Sequence, residues 1–479
     1  MSLGVLKVAA SLEAANVDVE VLDLSGYANA VGIVQQHARQ SDASVFGITA
    51  TTPQYPAAVS IAASIRSAGR TILGGPHATL TAAAAKKEKS KGITGRATRS
   101  FAAMGEKFDC IVAGDGEMAI LGAIQDGAPP YIDADGRPSS LFMDDAILEA
   151  TPIPARHLVD VSSYHYQIDG VPALSLIAQL GCPFGCGFCA GRHSPMLRHI
   201  RKRSSESVVA EMMHMSDTYG CRGFMFYDDE MNVNKNMVEL MELITKTQRD
   251  RGEEWRLRGF IKAELFNDDQ ARSMWDAGFR WILVGFESGS PRILENIAKR
   301  ATREDNTRCI ETARRHGLKT KALMSLGHPG ESEATVGDTR RWLIEMEPND
   351  FDVTVITPYP GSPYYDDARQ NGGFYTYTAR GGDVLHMEDV DYSETADYYK
   401  GAPGAYVSHV WTDELDPGSL VRERDDLEFS VRQRLGVTFN PSAAALSYEP
   451  SMGQTALPSH LLRISHGSLP GSKLHAIQS

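Results

Sequence analysis

The sequence contains no run of 18 apolar residues and no opening stretch in which basic residues precede an apolar segment. Neither membrane insertion nor export is therefore expected, and the reading is a cytoplasmic protein. Cysteine is scarce: six in 479 residues make no disulfide scaffold and suit a reducing compartment. Basic charge is also in deficit. Lys and Arg number 48 against 61 Asp and Glu, a formal charge of -13, which argues against a nucleic-acid backbone as the main partner. A chain of this length can bury several cores, and two to four domains are expected.

What cysteine there is, is concentrated. Leu180-Gly-Cys-Pro-Phe-Gly-Cys-Gly-Phe-Cys-Ala-Gly191 sets Cys182, Cys186 and Cys189 in the spacing CxxxCxxC, while Cys110, Cys221 and Cys309 stand singly. Structural zinc wants four closed ligands. A four-iron cubane held by three cysteines leaves one iron open to a substrate, and closely spaced thiolates ligate such clusters. Gly181, Gly185 and Gly187 let the backbone wrap tightly around it. A reduced cysteine-rich loop or a partial zinc site is the plainer alternative.

In the first 140 residues, apolar runs alternate with helical patterns. Val17 to Leu24, Ser44 to Thr49, Thr71 to Leu73 and Asp109 to Ala113 read as buried strands, and Leu3 to Ala15, Ala30 to Arg39, Ala57 to Ser67 and Glu117 to Gln125 as helices. The alternation predicts a parallel, doubly wound, Rossmann-like sheet whose ligand crevice lies at the strands' carboxyl ends. Three loops fall there: Thr49-Ala-Thr-Thr-Pro-Gln-Tyr55, Gly74-Gly-Pro-His-Ala-Thr79 and Gly114-Asp-Gly-Glu117. Each alone is also ordinary turn chemistry. The Ala- and Lys-rich stretch from Thr81 to Lys107 reads as a solvated helix or loop without assigned function.

From Ser175 six strand-helix units follow, with strands at Ser175 to Gly181, Gly223 to Tyr227, Arg256 to Ile261, Trp281 to Phe286, Lys319 to Leu326 and Asp352 to Thr357. Six parallel units make a partial barrel with its active site at the strands' carboxyl ends. The cysteine loop follows the first strand, Asp228-Asp229-Glu230 the second, Glu287-Ser288 the fourth, Gly327-His-Pro-Gly-Glu331 the fifth and Thr357-Pro-Tyr-Pro-Gly361 the sixth.

This cysteine spacing and order of motifs resembles the radical S-adenosylmethionine superfamily. The three glycine- and threonine-bearing loops ahead of it resemble the cobalamin-binding domain of its cobalamin-dependent members. The resemblance implies a 4Fe-4S cluster on Cys182, Cys186 and Cys189, with S-adenosylmethionine on the open iron. It implies contacts to that cofactor from Phe188 near the adenine, from Asp228, Asp229 and Glu230 at the amino group, from Glu287 and Ser288 at the ribose, and from Ile356, Thr357 and Tyr359 at the adenine. The three acids could instead be charges favoured at a helix N-terminus. Arg203, Arg258, Lys262 and Lys299 are candidates for the methionine carboxylate or for ordinary ion pairs. Cobalamin would meet Thr49, Thr51, Thr52, Gln54, Tyr55, Gly74, Gly75, His77, Gly114, Gly116 and Glu117. With no Asp-x-His-x-x-Gly present, no protein histidine is expected on cobalt; His77 reads as a loop hydrogen-bonder, and Gln54 or Tyr55 as candidates for the lower face.

Members of that family begin with an apolar strand ahead of the helix that here starts at Leu3, so the domain is expected to lack its first strand. Roughly eight ladder bonds would go unmade, at about 0.5 to 1.5 kcal/mol each. The expected layout is a cobalamin-binding domain over 1–143, a linker over 144–174, a partial (β/α)6 barrel over 175–366, a small α-rich or irregular C-terminal domain over 367–439, and an extended or disordered tail over 440–479. The aromatic, acidic C-terminal segment either closes the open side of the barrel and touches substrate, or is a packed lid. The resemblance implies methylation of an unactivated carbon through a 5'-deoxyadenosyl radical and methylcobalamin. It also implies an external electron donor such as flavodoxin or ferredoxin and a small-molecule or peptide substrate. A cyclase or rearrangement enzyme without net methylation, and a non-catalytic cobalamin or iron-sulfur sensor, compete with it. No residue is singled out as catalytic beyond the cofactor ligands.

Overall fold

The computed structural model describes residues 1–24, 27, 29–396, 398 and 406–437; the tail expected over 440–479 lies outside them. Its largest sheet has seven strands. Six run parallel and in chain order: Val171–Leu176, Gly223–Phe226, Arg256–Phe260, Phe279–Glu287, Lys319–Leu326 and Asp350–Val355. Sequential parallel order with a helix in most crossovers curls the sheet into the expected half barrel. Its first strand is offset from the predicted one. It ends at Leu176, and Gln179–Leu180 instead pairs antiparallel with Arg201–Lys202, closing the base of the cysteine loop.

Local chemistry sets the crossover helices. The Ser204 hydroxyl accepts from Ser207 N–H at the head of Ser205–Tyr219, and Gly220, at φ 65°, ends that helix in the left-handed region. Thr302 and Ser332 open Arg303–Arg315 and Glu333–Met346 with capping boxes.

The N-terminal sheet has four parallel strands in chain order, Val45–Thr49, Arg70–Gly74, Cys110–Gly114 and Tyr131–Ala134. Two expectations are corrected here. Tyr131–Ala134 is a strand that the sequence reading missed, and Val17–Leu24 forms no strand and pairs with none among the described residues. Alternation gives Val17–Leu24 a face to bury, and Val21 does join the barrel core, but a strand also needs a hydrogen-bonded neighbour. Among the described residues none pairs with the outer edge of Val45–Thr49, where a doubly wound sheet would reverse its order.

The Leu3–Ala14 helix lies between the two sheets, with Leu6, Ala9 and Ala10 in the barrel core and Leu12 in the N-terminal one. The Thr81 to Lys107 stretch is helical and solvated only in part: Lys89 to Thr94 are exposed, whereas Thr81 to Ala84, Arg96, Ala97 and Met104 are buried. It belongs to the helices Pro76–Ser90 and Arg96–Lys107, whose Ala84 and Ala97 pack against Tyr365, Tyr392 and Tyr398. Small alanine faces let these elements approach closely.

Where an irregular C-terminal segment was expected, the chain forms an antiparallel sheet of Arg369–Asn371, Phe374–Thr378, Val384–Met387 and Val410–Trp411. The Pro417–Leu435 helix follows, with Asp416 as its N-cap and Pro417 at its first position.

Candidate active site

The cysteine loop is held by its backbone. Cys182 N–H donates to Leu197 O (2.9 Å), Gly187 N–H to Ile297 O (2.7 Å), and Tyr364 N–H to Gly187 O (3.0 Å). The Arg198 guanidinium donates to Pro183 O (2.7 Å) and Phe184 O (2.8 Å). Space requires Gly187: a Cβ there would collide with the buried ring of Tyr364, whereas one on Gly185 would meet only the movable guanidinium of Arg192. Cys189 is exposed and Cys182 and Cys186 are half-buried.

Burial pushes the Cys182 thiol up to about 12, with Glu230, Asp229 and Cys189 adding to the rise. Burial also raises Cys186, against the pull of Lys299 and Lys262. Thiols in such a setting ionise when a metal takes the proton's place. Among the described residues no three His, Cys, Asp or Glu side chains converge as they do around a single ion. The cysteines of a cubane each take a different iron and need no common point.

The three acids after the second strand divide in role. Asp228 accepts Ala178 N–H (2.8 Å) and Asp229 accepts Gly181 N–H (2.9 Å), so both carboxylates brace the backbone that leads into the cysteine loop. Glu230 has no hydrogen-bond donor on its carboxylate among the described residues. Burial raises its pKa to about 7 against the pull of Lys299 and Lys262.

Glu287 sits at the bulge that ends its strand, with φ 66°, a costly conformation for a residue with a Cβ. Its oxygens accept from Lys299 Nζ (2.8 Å) and Ser325 Oγ (2.8 Å). Burial would raise its pKa, but the Lys299 charge outweighs that and lowers it. Ser288 is turned away. Its hydroxyl, fully buried, is bonded to Thr339 Oγ1 (3.0 Å) and accepts Ser290 N–H (3.1 Å), which leaves it unavailable to a ribose.

Phe188 meets the His328 ring edge-on at 5.4 Å. Ile356 N–H donates to Leu326 O (2.9 Å), Tyr359 O accepts from Ser362, and Thr357 lies between them, half-buried. Of the four basic candidates, Arg203 pairs with Glu211, Lys262 with Glu264 (2.8 Å) and Lys299 with Glu287. Arg258 lies over the Trp281 ring at 5.8 Å.

In the N-terminal sheet the first two strand-end loops touch. His77 N–H donates to Ala50 O (2.9 Å), and the rings of Tyr55 and His77 stack with centroids 4.0 Å apart. Gln54 is used locally, its side-chain carbonyl accepting Thr51 N–H (2.9 Å) and Thr51 Oγ1–H (3.0 Å). Thr52 Oγ1 lies 3.2 Å from His77 Nδ1. Burial holds His77 near 3, so its imidazole is neutral. The Tyr55 hydroxyl and His77 Nε2 are buried without hydrogen-bond partners among the described residues. Thr49 is exposed, a Cβ at Gly74 would meet open space, and Gly75 turns at φ 89°. Gly114 is glycine for a different reason: at φ 97°, a Cβ there would strike the backbone of Ala134 and Asp135. In the same loop Asp115 is drawn into a buried pair with Arg201 (2.7 Å), while Gly116 and Glu117 start the next helix.

Residues 176–343 match the Radical SAM superfamily and residues 1–105 the B12 binding domain. The chain belongs to the cobalamin-binding radical S-adenosylmethionine family. An uncharacterized methyltransferase of Pyrococcus horikoshii is 27% identical over 369 residues, covering 76% of this chain and 77% of its own. The anaerobic magnesium-protoporphyrin IX monomethyl ester cyclase of Cereibacter sphaeroides is 24% identical over 57% of this chain and 46% of its own. The radical S-adenosylmethionine methyltransferase TsrM of Kitasatospora setae, solved with cobalamin and a [4Fe-4S] cluster, shares the fold with TM-score 0.55 and 17% identity, over 79% of this chain and 78% of that one.

The family's cofactors are a 4Fe-4S cluster, S-adenosylmethionine and cobalamin, and the residues present fit them. The glycine-shaped cysteine loop suits the cluster, the donor-free Glu230 carboxylate suits an ammonium, and the orphaned polar atoms of Tyr55 and His77, between the first two strand-end loops, suit a ligand with polar groups of its own. Family membership also brings a need for an external reductant. Among the described residues no helix is long and apolar enough to cross a membrane. Sequence reasoning missed Arg198, Ser325 and Tyr364, which no local pattern marks.

Proposed function

We propose that this protein methylates a carbon carrying no activating group. The observation that carries the reading is the docking of the cobalamin-type domain onto the segment that follows the cysteine loop, through Asp115 to Arg201 and through Asp135 to Ser194 Oγ (2.6 Å). When bound, the cluster supplies the electron that cleaves S-adenosylmethionine to methionine and a 5'-deoxyadenosyl radical, and cobalamin supplies the methyl group.

Cys182, Cys186 and Cys189 would hold three irons. Glu230 would accept the ammonium of S-adenosylmethionine, Glu287 a ribose hydroxyl, and Phe188, Ile356, Thr357 and Tyr359 would border the adenine. Asp228 and Asp229 would act through the loop backbone. For cobalamin, Thr49, Tyr55, Gly74, Gly75 and His77 form the proposed contact set, while Gln54, Gly114, Gly116 and Glu117 shape its walls. A flavodoxin or ferredoxin in the cytoplasm would supply electrons at the potential such clusters require.

The test is anaerobic reconstitution of the full chain with iron, sulfide and cobalamin, followed by mass spectrometry of the S-adenosylmethionine products. Methylation predicts both S-adenosylhomocysteine and 5'-deoxyadenosine. The second reading, ring closure without methyl transfer, draws on the likeness to the magnesium-protoporphyrin cyclases of Cereibacter sphaeroides and Rubrivivax gelatinosus. It would be favoured by 5'-deoxyadenosine without matching S-adenosylhomocysteine. No cleavage at all by cluster-loaded protein would reject both.

A further inference from the structure

A chain of buried hydrogen bonds runs behind the site from the cysteine loop to the strand end that carries Glu287. His328 Nδ1 lies 3.3 Å from the Tyr364 hydroxyl and Nε2 lies 2.8 Å from Ser325 Oγ. Ser325 Oγ is 2.8 Å from Glu287 Oε2, and Lys299 Nζ is 2.8 Å from Glu287 Oε1. His328 and Tyr364 are fully buried and the other three nearly so.

The chemistry of the groups fixes the direction of every bond. Glu287, ionised beside Lys299, can only accept, so the Ser325 hydroxyl donates to it. The Ser325 oxygen then accepts from His328, which places the imidazole proton on Nε2. Burial holds His328 neutral, near 4, so Nδ1 is bare and accepts the Tyr364 hydroxyl. Donation therefore runs one way, from Tyr364 through His328 and Ser325 to Glu287. At its start, Tyr364 donates its backbone N–H to Gly187 O (3.0 Å) and lays its ring where a Gly187 side chain would be.

The geometry points to His328 as a positioning residue of the radical centre: through Ser325 it orients Glu287 toward S-adenosylmethionine, and through Tyr364 it sets the cysteine loop at a fixed distance from that carboxylate. This rests on the proposed role of Glu287. A side chain that fills the space of an imidazole without its two polar atoms would leave Ser325 and Tyr364 unpaired in a dry site, where such losses are expensive. A glutamine keeps one donor for Ser325 and one acceptor for Tyr364.

The experiment compares wild type, His328→Phe and His328→Gln as full chains reconstituted anaerobically, by iron content, thermal unfolding, and S-adenosylmethionine affinity read from the electron paramagnetic resonance change of the reduced cluster. His328→Phe should bind iron as wild type does and lose at least tenfold in affinity. His328→Gln should return to within about threefold of wild type. Wild-type affinity in His328→Phe, or equal losses in both variants, overturns the proposal. If His328→Phe loses iron or unfolds, Ser325→Ala carries the test, since it cuts the same chain one bond further on; unchanged affinity there overturns it as well. A wild-type protein that holds the cluster yet binds no S-adenosylmethionine defeats the functional reading itself.

Discussion

Glu211 should be among the most costly side chains to lose outside the cofactor site. It sits on the Ser205–Tyr219 helix, almost wholly buried, and takes Arg156 on one oxygen (2.7 Å) and Arg203 on the other. Arg156 comes from the connector after the N-terminal sheet and also donates to Ser175 O (2.7 Å), at the first barrel strand. Arg203 also donates to Ile177 O (3.0 Å). One carboxylate thus pairs with both of the guanidinium groups that hold the start of the barrel, offsetting one of their two charges. Glu211→Ala strands both charges, a change that costs about 3–5 kcal/mol in buried settings. At about 2–4 °C per kcal/mol for a unit of barrel size, the barrel's unfolding midpoint should fall by roughly 6–20 °C.

The pH dependence carries a sign. Burial would raise the Glu211 pKa, but Arg156 and Arg203 outweigh burial and lower it. Its contribution is therefore complete above the unfolded value and disappears as pH falls through the lower folded value. The gap between wild type and variant should stay constant from pH 6 to 8 and close below about 4.5. Chemical unfolding followed by tryptophan fluorescence measures it. A loss below about 1 kcal/mol would refute the reasoning, because it would mean that the carbonyls of Ser175 and Ile177 suffice for both arginines.

Cys186→Ala should abolish both cluster retention and 5'-deoxyadenosine formation while leaving far-UV circular dichroism unchanged; iron analysis and product chromatography check this. Gly187→Ala drives a methyl into the Tyr364 ring, and a cost of about 1–3 kcal/mol is typical of overpacking; a midpoint equal to wild type would show that the loop yields freely. Burial raises Glu331 to about 7, so its proton is held by the folded chain at pH values where the unfolded chain has lost it. Stability should then fall by up to about 3 kcal/mol as pH rises from 4.5 to 7, and Glu331→Gln should flatten that slope in midpoints taken at pH 5.5 and 8.

The barrel was legible because five of its six units announce themselves twice, by a short apolar run and by an unusual motif at the carboxyl end. Cys182, Glu230 and Glu287 all stand on such motifs. The relay behind them was not legible. Ser325 is one of many serines and Tyr364 lies 36 residues from its partner His328, so only the fold brings them together. Val17–Leu24 misled for a related reason: alternation records which face is buried and says nothing about a neighbour for the backbone. The Pro76–Ser90 helix misled through composition, since Ala82, Ala83 and Ala84 look neutral beside Lys86 and Lys87 yet are buried. Ser288 resembles a ligand-binding residue by position, and its orientation toward Thr339 could not be read from the chain.

Besides the apolar packing, several polar ties of the N-terminal domain converge on the segments beside the cysteine loop. Asp115 meets Arg201, Asp135 meets Ser194, and Lys87 meets both His193 Nε2 (2.7 Å) and Asp367 (2.8 Å). Arg96 donates to Tyr365 O (2.6 Å) and lies over that ring at 3.6 Å. The partners lie between residues 193 and 201, just after the cysteine loop, or between 365 and 367, just after Tyr364. The residues that would position cobalamin are thus fastened to the two segments that position the cluster. Chemistry that needs two cofactors on one substrate atom needs their separation fixed to fractions of an ångström. Here the buried pairs of Asp115 with Arg201 and Asp135 with Ser194, next to the loop itself, would set that separation, while Arg156 fastens the connector to the barrel's first strand.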